Sequence, residues 1–154
     1  MNNFVTKQMN ISALKDNVGN VIGESNWYNF SQERLNIYAT LTKDNQWIHT
    51  EPARCKAQLN SPTIVQGMFL ISMYTFLFKN AVTFTNYKKV IQYGVKNFRW
   101  LNAVESNSDV KASFKILSAD TEDNIIKTVT QATFFVKGKE KPCADGEFIN
   151  WWYT

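Results

Sequence analysis

The sequence has a single histidine and only two cysteines, so it lacks the clustered ligands a structural zinc site needs. Cys55 and Cys143 stand far apart with no CxxC spacing, and they read as two reduced thiols of a cytosolic protein. No apolar run reaches the roughly 18 residues of a membrane-spanning helix. The opening stretch MNNFVTKQMN is polar and has no apolar segment before a small-residue cleavage site, so it is not a secretory signal. Neither GxxxxGK(S/T) nor GxGxxG occurs, and no phosphate-cradling loop is visible. The net charge is +4 and the isoelectric point is near 9.0. The basic residues are scattered apart from Lys88-Lys89 and the KGKEK run at 137–141. Without a basic helix or zinc-finger spacing, this pattern argues against nucleic acid as a partner. The mild positive charge fits an anionic ligand or serves solubility alone. The expectation is a cytoplasmic protein with no metal, no cofactor and no membrane contact.

What is present is enough apolar material for a core: 44% of 154 residues, which predicts one domain over 1–154. Residues 1–20 read as an irregular lead-in, with VGNVIG placing turns around Val21-Ile22. SNWYNF, Ser25 to Phe30, is a candidate strand. Ser31 is suited to cap a helix over 32–41, with Glu33 near its positive end. Leu35, Tyr38 and Ala39 fall at helical spacing and can pack inward, whereas Thr42, at the same spacing, cannot. Residues 42–49 break the pattern as a polar loop ending in Trp47, Ile48 and His49. Thr50 and Pro52 mark a short helix through Gln58, and Asn60-Ser61-Pro62 marks a turn.

Gly67 then opens a strongly apolar helix to about Lys79, some 20 Å long. Met68, Phe69, Leu70, Ile71, Met73, Tyr74, Phe76, Leu77 and Phe78 leave it almost no polar face, which predicts burial on most sides. Its hydroxyls Ser72 and Thr75 share a side. The remainder reads as strands over 87–101, 109–117, 125–136 and 142–153. In the second of these Val110, Ala112, Phe114 and Ile116 alternate with polar residues. Consecutive antiparallel strands after a buried helix give an α+β domain, an antiparallel sheet wrapped around one long central helix.

The run from Thr42 to Phe78 resembles the MaoC-like hydratases, whose loop has the form G-D-x-N-P-x-H. Asp44 and His49 keep its five-residue spacing. The local form D-x-Q-W-I-H is similar to the branch that includes nodulation protein N. Ile64-Val65-Gln66-Gly67 resembles the (I/V)-x-H-G segment that opens the family's central helix. YGVKNFRWLNAV at 93–104 resembles its Y-G-x-N-x-x-R-F-x-x-P-V strand signature. The likeness runs through nearly the whole chain in order. The chain departs from it at Lys43, where a small residue is usual, at Gln46 for Asn, at Gln66 for His and at Ala103 for Pro.

The resemblance implies a hot-dog fold and reversible hydration of a trans-2-enoyl thioester to an (R)-3-hydroxyacyl thioester. It implies Asp44 as base and His49 as binder of the same water, helping to pass a proton to C2. The Gly67 N–H would be donor to the thioester oxygen. A water must lose a proton, C2 must gain one, and charge builds on the oxygen, so two proton-handling groups and one fixed donor cover the needs. Gln46, Trp47, Gln66 and Thr75 are the substrate-binding candidates, Thr75 by its match to a hydroxyl two turns into the family's helix. Plainer readings stand beside these. Asp44 suits a turn, His49 a satisfied half-buried position, and Gly67 a tight packing contact. Trp47 lines an acyl pocket or anchors the loop, and Ser72 bonds the carbonyl one turn back. Lys88, Lys89, Lys96 and Arg99 either meet the coenzyme's phosphates or form a solvated strand face. The implied partners are acyl-CoA or an acyl-carrier thioester and a second copy of the chain, in a homodimer or higher homo-oligomer. A hot-dog thioesterase and a non-catalytic thioester-binding module are the rival functions.

Overall fold

The computed structural model describes residues 7–154. In chain order these form β1 (Lys7–Asn10), a 3-10 helix (Ile11–Asn17), β2 (Val21–Glu24), β3 (Tyr28–Phe30) and α1 (Gln32–Thr42). Then come α2 (Trp47–Thr50), α3 (Pro52–Leu59), α4 (Gly67–Ser72) and α5 (Tyr74–Ala81). The rest is β4 (Val82–Thr85), β5 (Lys89–Trp100), β6 (Ser108–Glu122), β7 (Ile125–Val136) and β8 (Ala144–Tyr153). Six strands make one antiparallel sheet in the order β2-β6-β7-β8-β5, with β3 also on β6. The expected wrap of sheet around rod is present.

Local chemistry explains the boundaries. Ser31 Oγ accepts from Arg34 N–H and caps α1, as its sequence predicts. Pro52 stands in the first turn of α3, where its missing N–H is no loss. Along β6, Val110, Ala112, Phe114 and Ile116 are all fully buried while their neighbours face outward. Leu35 and Ala39 of α1 are buried, and Tyr38 stacks on Phe69 with centroids 4.5 Å apart. Ser72 Oγ donates to Phe69 O at 2.8 Å, the bond to the preceding turn expected of a helical hydroxyl.

The structure departs from expectation in four places. Residues 7–17 of the supposed lead-in are ordered into the fold: β1 pairs in parallel with β4, and Ile11 and Leu14 are core residues. The first six residues of that stretch lie outside the described residues. The single helix from Gly67 is two helices meeting at Met73, where ψ is −7° and the ladder is interrupted. That rod is buried on one side only, because the sheet covers a single face; Met68 is 58% and Phe76 48% exposed. Finally, β5 does not neighbour β6 but crosses to pair with β8.

The core lies between rod and sheet, with aromatic rings set among aliphatic side chains. Tyr74 stacks on Phe148 with centroids 3.7 Å apart, and Phe78 meets Phe114 edge-on at 5.0 Å. This packing fixes the rod's path, and therefore the position of its Gly67 end.

Candidate active site at the start of the central rod

The loop after α1 begins with Lys43 at φ 63°, in the left-handed region. That explains why the family pattern has a glycine here; a lysine pays roughly 1 kcal/mol of steric strain instead. Asp44 follows, half-buried, its N–H reaching Thr42 Oγ1 at 3.4 Å. Its carboxylate accepts no hydrogen bond from the described residues. Gln46 ends the loop with an exposed side chain, while its carbonyl accepts from His49 N–H at 2.9 Å and Thr50 Oγ1 at 3.2 Å. These bonds wind α2 into its single turn.

His49 is 7% exposed and tightly held. Its Nδ1 lies 2.7 Å from the carbonyl oxygen of Ile64, so Nδ1 carries the proton and donates. Neutral His49 therefore presents a bare Nε2, which can accept from a water. Two further bonds hold this turn in place: Ile64 N–H donates to Ile48 O at 2.9 Å, and Gln32 Nε2 donates to His49 O at 2.8 Å. Thr63 Oγ1 in turn donates to Gln32 Oε1, and Val65 N–H donates to Val104 O at 2.8 Å. The histidine turn is thus stitched to the segment that enters the rod. Gly67 comes three residues after Ile64, a span of about 10 Å at most.

Gly67 is the first residue of α4, and its N–H has no acceptor among the described residues. A Cβ there would lie 2.6 Å from Trp100 Nε1. Only glycine lets the indole lie against the helix end. Trp100 is a residue that sequence reasoning passed over; its place in the strand signature marked it, but nothing marked what it touches. Gln32 and Thr63, which hold the histidine turn, also carried no sequence signal.

The remaining candidates divide. The Gln66 side chain is fully buried and donates through Nε2 to Leu35 O at 3.1 Å. It braces the rod's entry against α1, which corrects its assignment as a substrate-binding residue: no surface of it is open to a ligand. Its Oε1 is buried without a partner. Trp47 is half-buried, with the Arg54 guanidinium 4.5 Å over its ring, so it anchors the loop. Thr75 is exposed and donates to Gln92 Oε1 at 3.1 Å, two turns along the rod. Each of the four cations weighed for coenzyme phosphates is engaged elsewhere on the surface. Lys88 donates to Thr154 O, Lys89 lies over the Tyr153 ring, Lys96 pairs with Glu147 at 3.1 Å, and Arg99 donates to Phe98 O.

Clefts of about 480, 320 and 270 Å3 open on the surface, and Asp44, His49 and Gly67 line none of them. The first contains Cys143, whose thiol burial pushes up to about 11, so it stays protonated and unreactive near neutral pH. Of those three residues, Gly67 lies against the Trp100 indole at the start of the rod. Both cysteines are buried and unpaired. Among the described residues no helix is long and apolar enough to cross a membrane.

Comparison with known proteins identifies the family and the fold. The chain is similar to 3-hydroxyacyl-thioester dehydratase Z of Mycobacterium tuberculosis, 29% identical over 140 residues that cover 90% of this chain and 93% of the relative. It is similar to nodulation protein N of Rhizobium meliloti, 25% identical over 147 residues covering 92% and 90%. Its fold matches that of an (R)-hydratase from A. caviae involved in PHA biosynthesis. The TM-score is 0.68 at 19% identity, covering 84% of this chain and 94% of that one. The architecture is therefore the hot-dog fold. The model of the MaoC-like domain matches residues 14–136, and the chain belongs to that family.

Proposed function

We propose that this chain interconverts trans-2-enoyl thioesters and (R)-3-hydroxyacyl thioesters. The observation that carries the reading is the His49 Nδ1 bond to Ile64 O. It leaves Nε2 bare and ties the histidine to the segment that delivers Gly67, next to a loop whose carboxylate has no partner among the described residues. A water held between Asp44 and Nε2 loses a proton to Asp44 as its oxygen attacks C3. The electron pair moves onto the thioester oxygen, where the Gly67 N–H donates to the developing charge. The proton returns from the Asp44–His49 pair to C2, so one water is added and both side chains regain their starting state. One oxyanion donor is worth about 3–4 kcal/mol of barrier, and a placed acid–base pair about 10²–10⁴ in rate.

The activity named for the mycobacterial relative concerns this thioester pair, and its alignment runs through the loop and the rod. The exposed flank of the rod and the open edge of β5 are covered by a second copy of the chain in a homodimer, which encloses the acyl chain of an acyl-CoA or acyl-carrier thioester. The two unpaired thiols suit the cytoplasm.

The test is hydration of crotonyl-CoA, followed as loss of its enoyl absorbance. Wild type turns the substrate over, whereas Asp44→Asn and His49→Ala each lose at least 100-fold in kcat/KM with unchanged circular dichroism. Full activity in both variants rejects the mechanism.

A further inference from the structure

The 270 Å3 cavity lies between α5, β4 and β8. Exposed Thr75, Lys79 and Thr83, with Gln92 of β5, form its rim; its buried walls are apolar at Phe78, Val82, Phe84 and Trp152, and two buried polar side chains stand among them, Tyr74 and Asn150. They are 2% and 3% exposed. Asn150 Nδ2 donates to Tyr74 Oη at 2.8 Å, and among the described residues nothing donates to Asn150 Oδ1. An amide can be turned end for end without changing its shape. In either orientation the bond to Tyr74 uses one end and leaves the other unpaired. The Thr130 hydroxyl lies close enough to influence the Tyr74 phenol, yet it is buried with no hydrogen bond of ordinary geometry. Burial drives the phenol's pKa well above its usual value, so it remains a neutral O–H donor. A buried polar group left dry without its bond is destabilising. A compartment for a plain alkyl chain has no use for such groups; leucine at 150 would line it better.

The cavity lies further along the rod from Gly67. Tyr74 follows Gly67 by seven residues, just beyond the break at Met73 and about 10 Å along the rod. A row of aromatic contacts joins the two points: Trp100 against Gly67, Phe98 at 5.3 Å from Trp100, Phe148 at 6.1 Å from Phe98, and Tyr74 stacked on Phe148. An extended chain advances about 3.5 Å per three bonds, so roughly nine bonds separate carbonyl from cavity.

We propose that this cavity receives the far end of the acyl chain, and that Asn150 and Tyr74 select a chain carrying a hydroxyl there. A hydroxyl both donates and accepts: with Asn150 Nδ2 on the phenol it donates to Oδ1 while accepting from the Tyr74 O–H, and with the amide turned it accepts from Nδ2. The inference rests on the hydratase reading. The site discriminates sharply because rejecting a chain that lacks the hydroxyl needs only that buried polar groups stay unpaired.

The experiment compares kcat/KM for 10-hydroxy-trans-2-decenoyl-CoA and trans-2-decenoyl-CoA, with crotonyl-CoA as control. Wild type should prefer the hydroxylated chain at least tenfold. Asn150→Leu should abolish or reverse the preference, and Tyr74→Phe, which keeps the ring stack, should reduce it several-fold. Should Asn150→Leu fail to fold, the wild-type ratio and Tyr74→Phe decide. Turnover of crotonyl-CoA with equal or better use of the plain chain overturns this inference alone, because a trapped water then satisfies the amide. No turnover of crotonyl-CoA overturns the hydratase reading and this inference with it.

Discussion

Strands β6, β7 and β8 and strand β5 belong to one sheet but live under different physics. The first three alternate between buried and outward positions, β6 as far as its register shift after Ile116, and their inward apolar residues belong to the core beneath the rod. In β5 not one of twelve residues is fully buried, although Val90, Ile91, Tyr93, Val95, Phe98 and Trp100 are as apolar or aromatic as anything in the centre. The difference is neighbours. A central strand has a partner on each side and the rod beneath; β5 has β8 on one side and an open edge on the other. Apolar side chains at an open edge are a liability unless another chain covers them. The same strand ends in Trp100, which roofs Gly67. The edge and the candidate active site are thus one surface, and covering the first encloses the second.

Substitution separates the two kinds of strand. The largest effect is expected for Phe114→Ala in β6, whose ring is fully buried against Phe78 and Tyr74. It should lose about 3–5 kcal/mol in denaturant unfolding, whereas Val95→Ala on β5 should stay within about 0.5 kcal/mol. Glycines sharpen the contrast. A Cβ at Gly146 of β8 would lie 2.3 Å from Phe98 Cδ2, so Gly146→Ala should cost about 1–3 kcal/mol. At Gly94 of β5 the nearest atom is 3.7 Å away, an ordinary contact, and Gly94→Ala should be neutral within about 0.5 kcal/mol by the same assay.

A charged edge tests what β5 is for. Ile91→Lys with Val95→Lys should leave denaturant stability within about 1 kcal/mol yet shift the sedimenting species from dimer to monomer and lower crotonyl-CoA turnover. An unchanged mass would disprove the covered edge.

The smallest effect concerns Glu147, across the β5–β8 ladder from Lys96. The Asn97 amide, then Lys96, hold its carboxyl below the ordinary 4.5. A carboxyl lowered on folding stabilises above its unfolded pKa and loses that contribution as pH falls through its folded value. Glu147→Gln should therefore lower stability at neutral pH by under about 1 kcal/mol and converge on wild type as pH falls below about 4.5, which flattens the acid limb of the stability–pH curve.

Much of this was legible in the residues. Ser31, Pro52 and the alternation of β6 act locally, through a cap, a missing N–H and a two-residue period, and each appears where the sequence places it. The Asp44–His49 spacing and the glycine at 67 likewise survive as a loop, a turn and a helix start. What failed to show depended on partners distant in sequence. Nothing in Lys7–Asn10 announces a parallel pairing with Val82–Thr85, and nothing near Met73 breaks the rod's apolar pattern. Gln66 read as a ligand-facing residue because its neighbour is catalytic in pattern; the Leu35 carbonyl that holds it lies thirty-one residues earlier.

The sequence by itself determined which stretches become helix and strand and which groups can move protons, because caps, periodicity and side-chain chemistry act within a few residues. Only the tertiary structure decided that β5 would be the edge, that an indole would close on Gly67, and that an amide and a phenol would meet in an apolar cavity. Those outcomes arise when segments far apart in the chain compete for the same rod, and no local pattern records the winner.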